Sequence, residues 1–173
     1  WKRSGDIKDW SKLVIKQSNK KEIFCRQLSG NNLWKTSEVG NTITQLSDKD
    51  YEQKKSIFHI SIFDNHKNTW HPPTLWIGLG CERNTSKELI EDSLQSFLAT
   101  NNLSPLSIAG FATVDLKKDE KAILEMSKEK NLPIKFFTSE ELSSINTPNP
   151  SNVVLNEIGT PSVAEAACMI AAG

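Results

Sequence analysis

The chain has 173 residues, enough for one domain or two small ones with a buried core, since a chain of about 150 residues hides roughly 70% of its extended surface. Lys+Arg and Asp+Glu both number 21, so no net field draws it to nucleic acid or an anionic membrane, and no apolar run approaches the ~20 residues that span a bilayer. Cys25, Cys81 and Cys168 are odd in number and widely spaced, which speaks against a disulfide framework and a zinc site, and the lack of a charged-then-apolar leader fits a cytoplasmic protein.

The chain starts at Trp1 rather than methionine and reads as a piece of something longer. Asp6 to Ser18 is expected to be a helix with Ile7, Trp10, Val14 and Ile15 roughly on one face. Glu22 to Leu28 reads as a strand, followed by a turn at Gly30-Asn31-Asn32. Ser37 to Ser56 is polar and is expected to be a long loop. Ile57 to Phe63 alternates as a strand does. His59, His66 and His71 are spaced for no helical ligand pair, so a chance cluster in a connector is the expectation and no metal site is assigned. Four of the five tryptophans precede residue 71 and are expected to fill a core or an interface. His71-Pro72-Pro73 marks an extended connector, because two prolines fit neither a helix interior nor a central strand. Residues 1–70 then form a partial α+β segment with few core residues, and residues 71–173 a second domain.

That second part alternates strand and helix. Strands are expected at Leu75–Leu79, Ser107–Thr113, Ile134–Phe137 and, shorter, Val153–Leu155. Helices are expected at Ser86–Thr100, with Leu89, Ile90, Leu94, Phe97 and Leu98 buried, and at Asp119–Lys130, with Ala122, Ile123 and Met126 inward. A short helix runs from Thr138 to Leu142, and a last one from Pro161 to about Ala172. Thr85 with Glu88 and Thr138 with Glu141 read as capping boxes, and Thr160-Pro161 as a cap followed by proline at the first helical position. Such alternation predicts an α/β fold, a mainly parallel sheet with helices on both faces.

Three motifs can carry chemistry. Gly78-Leu79-Gly80-Cys81-Glu82-Arg83 ends a strand and opens a helix that Thr85 would cap. Free N–H groups, the helix dipole and the Arg83 fork suit an anion there, at the end of a sheet where α/β folds bind ligands. It is neither a dinucleotide fingerprint nor a Walker loop, and a plain tight turn with an exposed arginine is the alternative. Cys81 has two readings, an activated thiol or a small packing residue, and no histidine follows Leu75 to serve as its base. In Ala112-Thr113-Val114-Asp115-Leu116-Lys117-Lys118-Asp119-Glu120, the side chains of Thr113, Asp115, Lys117 and Glu120 either position a polar substrate and move protons or merely cap a helix. In Gly159-Thr160-Pro161-Ser162-Val163-Ala164-Glu165-Ala166-Ala167-Cys168, Ser162 can donate to an anion, while the alanines suit a helix pressed on a sheet.

These three motifs, in this order, with Phe136-Phe137-Thr138-Ser139-Glu140-Glu141-Leu142 between the last two, resemble the C-terminal domain of CbiG and the related stand-alone CobE proteins over about Leu75 to Gly173. Trp1 to Trp34, with Trp1, Gly5-Asp6 and Trp10, is similar to the CbiG middle region. The resemblance implies a role in cobalamin biosynthesis: hydrolysis of the lactone of cobalt-precorrin-5A, release of acetaldehyde and formation of cobalt-precorrin-5B. It implies a cobalt-precorrin tetrapyrrole as partner, with cobalt carried by the substrate and no cofactor of the protein's own. Within that reading Glu120 is assigned as base and Lys117 as its electrostatic partner. Gly78, Gly80, Cys81, Arg83, Thr85, Thr113, Asp115 and Ser162 are assigned to the substrate. The alternatives are a non-catalytic tetrapyrrole-binding module like CobE and an interaction domain of a multienzyme chain, fusion to the pathway's methyltransferase being known among the relatives. The N-terminal domain of full-length CbiG has no counterpart here, and residues 37–68 match nothing in the family.

Overall fold

The computed structural model describes residues 1–50, 54 and 57–173. The chain forms two compact units, Trp1–Pro73 with Asn101–Ser107, and Thr74–Thr100 with Ile108–Gly173. Among the described residues no helix is long and apolar enough to cross a membrane.

Among the described residues, the first unit has a five-stranded sheet and one α-helix. Its strands are β1 (Lys2–Ser4), β2 (Ile23–Gln27), β3 (Ile43–Gln45), β4 (Ile57–Ile60) and β5 (Thr69–His71), in the order β1-β5-β4-β2-β3. The β1–β5 pair is antiparallel and the other three pairs are parallel. The helix α1 (Ile7–Ser18) is capped by the Asp6 carboxylate, which accepts from the Lys8 N–H at 2.6 Å. The expected face of α1 is corrected: Trp10 and Leu13 are buried, whereas Ile7, Val14 and Ile15 are exposed. Trp10 stacks on Trp70 with ring centroids 5.8 Å apart and tilts against Phe58, and these rings close a core with Leu13, Ile23, Cys25 and Ile60. Burial pushes the Cys25 thiol up to about 12, so it behaves as a small hydrophobe. The segment therefore carries a larger core than its polar composition indicated. The expected loop at Ser37–Ser56 is also corrected in part. Gly40–Thr42 is a 3-10 turn and β3 pairs in parallel with β2, while residues 51–53 and 55–56 lie outside the described residues.

The histidines are not a connector cluster, since His59 lies on β4 and His71 on β5, both buried. His71 Nδ1 lies 2.9 Å from the Ser61 carbonyl and must be its donor. Its Nε2 is then left to accept from the Ser4 hydroxyl at 2.8 Å. His59 and His66 stack with centroids 4.3 Å apart. Burial holds all three below the ordinary imidazole value of 6.5. A depressed imidazole means that the unfolded chain binds more protons than the native one just below pH 6.5, so stability is full above that value and falls as pH drops through it. Thermal unfolding scans between pH 7.5 and 5 are expected to show the midpoint falling below about pH 6.5. A midpoint constant across that range would contradict this account of the histidines.

The second unit contains a parallel sheet of three strands, β6 (Leu75–Gly78), β7 (Ile108–Val114) and β8 (Ile134–Phe137), in that order. The helices are α2 (Lys87–Thr100), α3 (Lys121–Lys130), α4 (Ser139–Ser143), α5 (Asn152–Ile158) and α6 (Ala164–Ala172). One face of the sheet meets α6, where Trp76, Ala112 and Val114 pack with Leu142, Ala166, Ala167 and Ala171. Phe111 points to the opposite face by strand alternation, and α2 and α3 supply buried Ile90, Leu94, Ile123 and Met126. The α/β expectation is met, with three corrections. Val153–Leu155 is not a strand but lies within α5, because Ser151 caps a helix and Gly159, at φ +79°, ends it. The cap of α2 is Ser86, whose Oγ accepts from the Leu89 N–H, while the Thr85 hydroxyl donates to the Glu82 carbonyl. Helix α6 begins at Ala164, because the Thr160 hydroxyl turns to the Ser162 carbonyl instead of capping at Pro161. The capping box at Thr138 and Glu141 is formed.

Candidate functional site

The turn after β6 is built by its neighbours. The Leu79 N–H donates to the Ala112 carbonyl, and the Leu79 carbonyl accepts from the Thr113 hydroxyl at 2.7 Å. Thr113 is fully buried, so its hydroxyl holds the turn and is not open to a ligand. Gly78 has a similar inward role. A Cβ there would lie 1.8 Å from the Ala164 carbonyl oxygen, so this glycine lets the backbone of α6 touch β6. Gly80 differs, because a Cβ would meet only Ala164 and Val163 at 3.7–4.0 Å. Its lack of a side chain leaves room over the turn.

That room is a cavity of about 550 Å³. Gly78, Leu79, Gly80, Cys81, Glu82 and Thr85 form one wall, and Leu89, Ile90, Ser93, Leu94 and Phe97 of α2 form the other, with Ala164 at the start of α6. Leu89 and Phe97 were expected in the core, yet they are exposed and line this cavity. Cys81 is half-buried on its wall rather than sealed in packing.

A second, polar recess of about 500 Å³ shares Thr85 with the first and is lined by Arg83, Asn84, Lys87, Glu88, Asp119, Glu120, Lys121 and Glu125 among others. Here the turn is bolted to the Asp115–Glu120 loop. Asn84 adopts a left-handed φ of +60°, which an asparagine tolerates, and its N–H donates to Glu120 Oε1 at 3.1 Å. Glu120 Oε2 lies 3.6 Å from Lys117 Nζ, and both side chains are almost fully buried. Above them, Arg83 gives one nitrogen to the Asp119 carboxylate and the other to the Leu116 carbonyl at 2.7 Å. The Arg83 guanidinium holds the Asp119 carboxyl below its usual range.

The structure thus gathers Gly78, Gly80, Cys81 and Thr85 on the apolar cavity, and Arg83, Thr85 and Glu120 on the polar recess. Lys117 lies behind Glu120, Asp115 turns toward Lys118 at 3.9 Å, and Ser162 lines neither space. Asn84, Asp119, Leu89 and Phe97 were not anticipated as site residues. Asn84 carried a signal, since asparagine is enriched at positive φ. So did Leu89 and Phe97, each one residue off the Ile90, Leu94 and Leu98 stripe.

The model of the cobalamin synthesis G C-terminus family, CbiG_C, matches residues 75–173. The chain belongs to the CbiG C-terminal family. Among its relatives, a cobalt-precorrin-5A hydrolase of Priestia megaterium is 35% identical over 104 residues, covering 60% of this chain and 28% of that protein. Protein CobE of a Sinorhizobium species is 32% identical over 101 residues, covering 57% of this chain and 66% of CobE. A crystal structure of CobE, described as a protein of the cobalamin (vitamin B12) biosynthetic pathway, superposes with a TM-score of 0.52 at 32% identity. It covers 56% of this chain and 69% of that one. The matched part is thus about a quarter of the hydrolase's length and about two thirds of CobE's, and the family match includes every residue of both cavities.

Proposed function

We propose that the second unit binds a carboxylate-bearing tetrapyrrole intermediate of cobalamin biosynthesis, with cobalt arriving as part of that ligand. One observation carries this reading: an apolar cavity and a charged recess meet at Thr85, with the Gly80 turn between them. A macrocycle with an apolar face and an acidic rim has matching chemistry. Its body would fill the space beside Leu89 and Phe97, and its carboxylates would face Arg83 and the turn amides. The hydrolase relative is named for a substrate of this class, cobalt-precorrin-5A, and CobE is described as a protein of the cobalamin pathway. Titration of the 173-residue chain with dicyanocobyrinate, a corrinoid polycarboxylate, is the test. A saturable change in corrinoid absorbance is expected, and its absence at millimolar corrinoid would rule the reading out.

A hydrolytic role is the second reading, favoured by the Glu120 carboxylate on the recess with Lys117 behind it. In it, water attacks the lactone carbonyl of cobalt-precorrin-5A. Glu120 takes the proton from that water, Lys117 steadies the carboxylate, and turn N–H groups face the developing oxyanion; the ring C–O bond then breaks, and the departing alkoxide takes the proton from Glu120 to leave a free carboxyl and an alcohol. Glu120→Gln keeps an oxygen for the Asn84 N–H but removes the base. In a chain that releases acetaldehyde, the change is expected to lower the rate by at least ~100-fold with corrinoid binding retained. Unchanged release would remove Glu120 from the chemistry.

A further inference from the structure

We propose that Asp119 is a built-in competitor for Arg83: it occupies the place of a ligand carboxylate, and a bound ligand displaces it. The proposal rests on the ligand reading above. Of the two Arg83 arms, one is fixed on the Leu116 carbonyl and the other meets the Asp119 carboxylate. The pair sits at the mouth of the polar recess, with side chains 54% and 74% exposed. An exposed ion pair of this kind is held only weakly. Incoming carboxylate replaces outgoing carboxylate, so the guanidinium keeps one charged partner throughout. No bond is made or broken and no proton need move.

The adjoining residues let this exchange occur without unfolding. Glu120, next to Asp119, is buried and stays tied to the Asn84 N–H and beside Lys117. The loop is therefore anchored at Glu120 and released at Asp119. Such a contact selects against small anions, which bring one charge and little else to repay the lost pair. It favours a ligand whose carboxylate comes attached to an apolar body that fills the cavity beyond Thr85.

The test compares dicyanocobyrinate affinity in the intact chain and in three variants. Asp119→Asn is expected to bind about two- to five-fold tighter, the range that an exposed pair spans. Arg83→Ala should bind more weakly, and Arg83→Ala/Asp119→Asn should show no gain over Arg83→Ala. The uncharged heptamethyl ester of the same corrinoid should not distinguish wild type from Asp119→Asn. If Asp119→Asn binds no tighter while Arg83→Ala still binds more weakly, the competitor proposal is overturned and the ligand reading stands. If Arg83→Ala binds as wild type does, both the proposal and the role of Arg83 in the ligand reading fall.

Discussion

Gly78→Ala is expected to destabilise the second unit by about 3 kcal/mol, the upper end for overpacking in a closed core. The added Cβ would sit 1.8 Å from the Ala164 carbonyl oxygen and 2.6 Å from its carbon. Both are backbone atoms of α6, so no side-chain rotation relieves the clash. Helix α6 would have to lift from β6, opening the cluster of Ala112, Ala166, Ala167 and Ala171. Gly80→Ala is the control. Its Cβ meets only ordinary contacts, and Gly80 has no positive φ to lose, so stability is expected to stay within about 0.5 kcal/mol. Urea unfolding of the two variants measures both effects. Equal losses at Gly78 and Gly80 would contradict the distinction between a packing glycine and a cavity glycine.

Lys117→Met carries the second large effect, a loss of about 3–5 kcal/mol. The change leaves the Glu120 carboxylate buried without its cation, and the hydrogen bond from Asn84 keeps that carboxylate from turning out to water. Glu120→Gln should cost less, because the new amide oxygen would still accept from the Asn84 N–H and the long Lys117 stem can move its ammonium toward solvent. The order of the two losses in chemical unfolding is the readout. A milder effect for Lys117→Met than for Glu120→Gln would show that the buried Glu120 carboxylate does not depend on Lys117 as its cation.

Much of the second unit was legible because local signals and global packing agree there. The alanines of α6 announced a close helix–sheet contact, and the capping box at Thr138 marked the start of α4 correctly. Val153–Leu155 misled because β-branched residues favour strands on their own, whereas Ser151 and Gly159 bracket a helix. In the first unit, Ile7, Val14 and Ile15 form an apolar stripe as convincing as the true one. Only the position of β2 and Trp70 shows that Trp10 and Leu13 face inward. The strands β1, β3 and β5 are three residues each, too short for any periodicity to reveal.

The site was legible as a location but not as a set of contacts. The Gly78 turn and the Asp115–Glu120 loop do meet at the end of the sheet, and α6 starts beside them. Their partners depend on long-range geometry that spacing cannot express. Thr113 reaches the Leu79 carbonyl, Arg83 spans to Leu116 and Asp119, and the Asn84 N–H finds Glu120. Residues that looked free for a ligand are therefore engaged inside the protein. The cavity is lined instead by Gly80, Cys81, Leu89 and Phe97, among others.

The central claim is that a corrinoid polycarboxylate seats against the Gly80 turn and the adjoining face of α2. Amide NMR of the isotope-labelled chain during titration with dicyanocobyrinate tests it most directly. The predicted result is a saturable set of shifts concentrated at Gly80, Cys81, Glu82, Leu89, Ser93 and Phe97, with smaller ones at Arg83 and Asp119. Shifts centred on α1 or β8 with the Gly80 turn unmoved, or no shifts at all, would contradict it.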